Sequence, residues 1–190
     1  HNVLFFSLEM SQVQLMLKII ASETRINQTN VDMNDMTDKE EERFYSNLAT
    51  SVNKGLSIVE TVNLSVKDIV SKSRQANGKK KLDCIVIDYL QMLKYDKGKE
   101  VSELGNITRE LKFLSKELEI PILLLSQLSR GVEQRENKRP LMSDLRSSGE
   151  IEQDADVIMM IYRDEYYTKE ESLDKGMAEI IITKNRTGTV

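Results

Sequence analysis

Short, nearly uniform apolar runs alternate with amphipathic stretches along this chain. Val3-Leu4-Phe5-Phe6-Ser7, Leu82 through Asp88 and Ile122-Leu123-Leu124-Leu125-Ser126 are of the first kind, the pattern of strands buried on both faces of a parallel sheet. Leu56 to Val59 reads as a further short strand, and Asp156 to Tyr162 and Ala178 to Thr183 as two later ones. Between them lie helical signals. Ser11-Gln12-Val13-Gln14 has the form of a capping box, and Leu15, Met16, Ile19 and Ile20 supply the apolar face of the helix behind it. Thr37-Asp38-Lys39-Glu40 starts another, with Phe44, Leu48 and Val52 on its inner side. Ser65 to Gln75 is a third, ended at Asn77-Gly78. Leu104, Ile107, Leu111, Leu114 and Leu118 recur at spacings of three and four, the stripe of a helix lying on a sheet, until Pro121 breaks the pattern and opens the next strand. Strands alternating with helices predict an α/β fold with a mainly parallel sheet and helices on both faces. The chain opens inside a strand, so it looks cut from something longer.

The candidate chemistry follows from how the strands end. The Leu82 run closes on a carboxylate, Asp88, the Val3 run leads into Glu9, and the Ile122 run into Gln127. Parallel α/β sheets bind ligands at their carboxyl edge, and nucleotide-hydrolysing folds place a magnesium-holding aspartate there. Three polar side chains are therefore expected to converge on one rim. Composition narrows the field without naming the activity. A length of 190 residues fits one domain over 1–190, and 39% apolar content suffices for a substantial core. No apolar stretch approaches the roughly 20 residues that span a bilayer, so no membrane partner and a cytoplasmic location are expected. With His1 and Cys84 as the available soft ligands, a structural zinc site is excluded. A net charge of −4 leaves any nucleic-acid contact to local basic loops; Lys94 to Lys99 and the long, charged stretch from Ser129 to Gly149 qualify. In the second, Arg130, Arg135, Lys138 and Arg139 are interleaved with Glu133 and Glu136, the pattern also of an ordinary solvated surface. Tyr166 and Tyr167 read as packing at a sheet margin or subunit contact.

The wording of the motifs is more specific. Ser7-Leu8-Glu9-Met10, Ile87-Asp88-Tyr89-Leu90-Gln91, Leu125-Ser126-Gln127-Leu128-Ser129-Arg130, Asp144-Leu145-Arg146 through Gly149-Glu150-Ile151-Glu152-Gln153-Asp154-Ala155-Asp156, and Lys184-Asn185-Arg186-Thr187-Gly188 follow one another along the chain. In this order and over nearly the whole length, the sequence resembles the C-terminal RecA-like motor domain of the DnaB-type replicative DNA helicases. The resemblance implies an ATP- and Mg2+-dependent motor in which Glu9 is the general base on the attacking water and Asp88 holds magnesium, through water. It implies that Gln127 reports the γ-phosphate to DNA-facing loops, and that Lys184 and Arg186 act in trans on a neighbouring subunit's nucleotide. It further implies a homo-hexameric ring around single-stranded DNA, gripped by Arg146, Ser147 and Gly149, with a primase and a helicase loader as partners.

The chain departs from that family in three places. The glycine-rich phosphate loop ending in Gly-Lys-Ser/Thr, expected one strand and one helix before Val3, is not in this sequence, so the 190 residues alone are expected neither to bind ATP tightly nor to hydrolyse it. Lys18 stands where an Arg often lies against the nucleotide base, keeping the charge and losing planar stacking. Ser147 stands where Glu is common. The alternatives are another ATPase of the RecA superfamily, or a non-catalytic fragment or paralogue that contributes only oligomer and DNA contacts.

Overall fold

A computed structural model describes residues 1–51, 55–145 and 148–189, with the backbone alone for residues 49–51, 97 and 148. Val52, Arg146 and Ser147, singled out above, lie outside the described residues. The chain forms two compact units, residues 1–94 with 114–125, and residues 95–113 with 126–190.

The first unit is built on a parallel sheet of β1 (Val3–Ser7), β2 (Leu56–Glu60), β3 (Cys84–Asp88) and β4 (Ile122–Leu124), in the order β2-β1-β3-β4. Helices α1 (Gln12–Thr24), α2 (Gln28–Met33), α3 (Asp38–Ser51) and α4 (Val66–Lys79) connect the strands. Phe6, Ile85 and Ile87 are fully buried, each worth about 2 kcal/mol of apolar transfer. Burial alternates along β3 instead of covering both faces, because the neighbours of Phe5 and Val86 leave them half-buried and Leu123 beside them is 47% exposed.

The helix starts follow local chemistry. Ser11 accepts from the Gln14 N–H while the Gln14 side chain accepts from the Ser11 N–H, closing the expected box. Glu40 accepts from the Thr37 N–H at 2.9 Å at the head of α3. Ile20, Ile26 and Phe44 form the core between these helices, with Leu17, Val31, Met36 and Leu48 against it. Asn77-Gly78 does not end α4, which runs on to Lys79. The Asn77 side chain accepts from the Leu82 N–H at 2.9 Å and so fastens the chain leaving the helix rather than stopping the helix itself.

The second unit holds α5 (Glu100–Leu118) up to Phe113, α6 (Ser148–Asp154), β5 (Val157–Tyr162), α7 (Asp164–Thr168) and β6 (Glu179–Asn185). Here β5 and β6 pair with each other, antiparallel, and do not join the parallel ladder. A connection carrying one short helix reverses the chain, and antiparallel neighbours need no longer crossover. Ile158, Met160 and Tyr162 are buried on one face of this pair. Tyr167 stacks on Tyr162 at 5.6 Å with Tyr166 edge-on to it at 5.0 Å, so the tyrosines pack at the margin of the hairpin.

Candidate functional site

Register brings the ends of β1 and β3 together. Ser7 is the partner of Asp88 across the parallel pair, and the Leu8 N–H donates to the Asp88 carbonyl at 3.0 Å. Beyond Ser7 the chain turns at once. The buried Ser7 hydroxyl donates to the Met10 carbonyl at 2.6 Å and Leu8 is sunk in the core, so Glu9 stands exposed on the turn between two anchored neighbours. Asp88 is half-buried in the sheet edge. Burial pushes its carboxyl above the usual carboxylate range, the charge of Glu9 pushes it further, and Lys18 on α1 pulls it back. Three of the residues singled out in the sequence, Glu9, Asp88 and Lys18, thus lie within one electrostatic field.

That donor set suits magnesium with a phosphate ligand. Among the described residues no group of three or more His, Cys, Asp or Glu could cage a metal by itself. Magnesium in nucleotide sites takes one or two carboxylates, phosphate oxygens and retained waters, and a carboxylate disfavoured by burial and by a like charge is relieved by such a cation. Asp88 would hold it, with Glu9 alongside. Gln127 belongs to the other compact unit, beyond the end of β4, and is exposed. One carboxylate escaped the sequence reading. Glu60, which closes β2 as Asp88 closes β3, accepts from the Gln12 N–H at 2.7 Å and caps α1; the signal was the same strand-ending acid, spent here on a helix terminus.

In the second unit Lys184 and Arg186 are engaged with their own chain. The Lys184 ammonium donates to the Glu152 carbonyl. Arg186 donates from one end of its guanidinium to Asp156 at 3.0 Å and from the other to the Gln153 carbonyl at 2.7 Å. Asp156 also accepts from Lys112 of α5. Asp156 stands in the sequence only as the close of a motif and the start of a strand, and Lys112 not at all, because a partner 44 residues away leaves no local spacing to read.

The stretch from Ser129 to Leu145 is tied into a closed loop, with Arg130, Glu133, Glu136 and Arg139 exposed on it. Leu128 bridges Leu145, and the Ser129 N–H donates to the Asp144 carbonyl at 2.7 Å. Arg135 grips the buried Asp144 carboxylate through both nitrogens at 3.0 and 2.7 Å. Arg139 pairs with Glu179 and lies 4.6 Å over the Tyr162 ring, and Lys138 donates to the Glu133 carbonyl. Gly149 lies in α6, and among the described residues nothing comes within 4 Å of where its side chain would start. Burial pushes the Asp144 carboxyl up, but the Leu141 N–H and Arg135 outweigh it and hold the group below the ordinary range. Arg135→Ala leaves that carboxylate buried without its cation and costs about 2 kcal/mol, a melting temperature lower by roughly 4–8 °C. Because the folded carboxyl is depressed, the contribution of the pair is complete above about pH 4 and is lost as the pH falls through the lower value. Thermal unfolding of the variant against the parent at pH 7 and pH 3 checks both statements.

Comparison with known proteins places the chain in a family. A profile of the DnaB-like helicase C terminal domain matches residues 1–190. The chain is 45% identical over 195 residues to the replicative DNA helicase DnaB of Geobacillus stearothermophilus, covering 100% of this chain and 42% of that protein. A solved DnaB-like replicative helicase, described with its interactions with primase, superposes with a TM-score of 0.91 at 38% identity over 99% of this chain and 46% of that one. A solved ATPase domain superposes with a TM-score of 0.90, also at 38% identity, over 99% of this chain and 68% of that domain. The chain thus spans less than half the length of the curated relative it matches. No helix among the described residues is long and apolar enough to cross a membrane.

Proposed function

This chain belongs to the DnaB-like helicase C-terminal domain family, and from that premise we propose that it is the greater part of the motor domain of an ATP-driven replicative DNA helicase. The observation that carries the reading is the meeting of Glu9 and Asp88 at the carboxyl edge of the parallel sheet, on strands held in register one residue from the turn. Glu9, exposed on the turn after β1, accepts the proton of the attacking water. Asp88 would hold magnesium through water, and the metal would neutralise phosphate charge. Lys18 lies along the nucleotide, and Gln127 senses its terminal phosphate. Lys184 and Arg186 serve the nucleotide of an adjacent protomer, which requires a ring or filament, and in this reading the assembly is a homo-hexameric ring. Arg146, Ser147 and Gly149 grip the backbone of the encircled single strand without reading bases. A primase and a loader act with the ring in the cytoplasm.

The test uses a full-length protein carrying this segment. It is expected to separate a forked duplex with ATP and Mg2+, and to hydrolyse ATP faster when single-stranded DNA is added. Strand-stimulated hydrolysis without any fork separation overturns the helicase reading in favour of another RecA-superfamily ATPase. No hydrolysis at all favours a non-catalytic paralogue. The 190 residues alone, which contain no Gly-Lys-Ser/Thr loop, are expected to release no phosphate from ATP; robust turnover by them would show that the nucleotide site lies elsewhere.

A further inference from the structure

We propose that Asp156 is the positioning residue for Lys184 and Arg186: together with the Glu152 and Gln153 carbonyls of α6 it forms the seat that fixes both cations for use on a neighbouring protomer. The inference rests on the in-trans reading of those two cations given above. The seat has a plain physical origin. The last carbonyls of a helix have no partner within it, and in α6 those of Glu152 and Gln153 accept from Lys184 and Arg186. Asp156, two residues past the end of α6, takes the other end of the Arg186 guanidinium at 3.0 Å, and its own carbonyl accepts from the Arg186 N–H at 2.8 Å. Backbone and side chain of Arg186 are thereby fixed to the same residue.

The seat is itself braced. The second Asp156 oxygen accepts from Lys112, Thr108 donates to Asp154 at 2.7 Å, and Arg109 pairs with Glu150 at 3.3 Å. These three residues and Gly105 share one face of α5 at helical spacing. At Gly105 an added Cβ would stand 2.7 Å from the Glu150 Cγ, so the absence of a side chain there lets α6 lie close. Charge leaves the cluster able to act on an anion. Asp156 itself faces three cations, Lys112, Arg186 and Lys184, and does not neutralise them all, while Glu150 is taken by Arg109. Arg186 is 47% exposed in its side chain, with donors left over for an incoming phosphate. A guanidinium held at both ends loses little freedom on reaching a ligand, which is the use of such a seat.

The experiment is subunit complementation in the full-length, ring-forming protein. Asp156→Asn alone is expected to lower kcat for ATP at least tenfold with KM changed less than twofold and ring mass unchanged. Mixed with Glu9→Gln subunits, it is expected to regain activity above either variant alone, because an Asp156→Asn protomer keeps a good nucleotide site and a Glu9→Gln neighbour keeps good cations. Arg186→Ala, mixed in the same manner, is the control. If Arg186→Ala fails to complement, the in-trans reading falls. If it complements while Asp156→Asn does not, or if Asp156→Asn retains full kcat, the seat falls and the in-trans reading stands. Should Asp156→Asn not assemble, Lys112→Met, which removes the brace and leaves the carboxylate, carries the same expectations and the same refutation.

Discussion

Glu9→Gln is expected to lower kcat for ATP hydrolysis by about 10²–10⁴-fold in a full-length protein carrying this segment, the range typical for loss of a positioned general base. Nucleotide affinity is expected to stay within about threefold, because Gln keeps the shape and only the proton acceptor is lost. The same substitution has a second, opposite effect that a purely catalytic residue would not show. Asp88 is pushed up first by its burial and then by the charge of Glu9. A carboxyl whose folded value is raised is at its most favourable below the unfolded value near pH 4, and the advantage is lost as the pH climbs through the folded value. At pH 7 the ionised Asp88 is therefore a cost to the fold, and removing its negative neighbour reduces that cost. Glu9→Gln should melt higher than the parent at pH 7 and at the same temperature as the parent at pH 3, where Asp88 is protonated. Activity sacrificed for stability is the usual relation at a functional site. Phosphate-release kinetics and thermal unfolding at the two pH values check the pair of effects. A variant that keeps more than a tenth of its activity rules out Glu9 as the base.

The elements that sequence displays well are those whose cause is local. The Ser11 box, the start of α3 at Thr37, the boundaries of β1 and the close of β3 at Asp88 depend on residues within a turn or a strand, and they stand where the pattern puts them, whereas β3 opens at Cys84 and not at Leu82. Asp88 and Glu9 were legible for a related reason. Each is a polar residue at the end of an apolar strand, and parallel neighbours in one sheet end on the same side. What sequence conceals is partner choice. Glu60 ends its strand in the same style and is consumed by the N-terminus of α1. Asn77-Gly78 carries a stop signal that the continuing hydrogen bonds of α4 override. The basic residues of the Ser129–Leu145 loop look free in one dimension, yet Arg135 and Arg139 are bound to Asp144 and Glu179, 9 and 40 residues away. The Asp156 cluster joins positions 30 and 44 apart from it. Such pairs are fixed by tertiary packing, and no periodicity announces them.

Arg186→Ala is the second large expected effect. A cation contributed to a neighbour's phosphoryl transfer is worth about 10³–10⁵ in kcat, and homogeneous rings of the variant should fall by an amount in that range. Its structural cost should be small by comparison, since Arg186 pairs with Asp156 at the surface, 47% and 53% exposed, where ion pairs contribute little. The informative measurement is a titration of variant into wild-type subunits. Each Arg186→Ala protomer keeps its own nucleotide site and disables the one beside it. Activity in mixed rings should therefore decline in step with variant content if sites fire independently, and faster if firing passes around the ring. A residue acting on its own nucleotide would give the same linear decline, so the titration is read with a second one, in which Arg186→Ala subunits are mixed with Glu9→Gln subunits. Two dead protomers can make a live site only when base and cation come from different chains. Recovered hydrolysis in that mixture places Arg186 opposite a neighbour's Glu9; no recovery means that Arg186 serves its own protomer's nucleotide, and the in-trans reading falls.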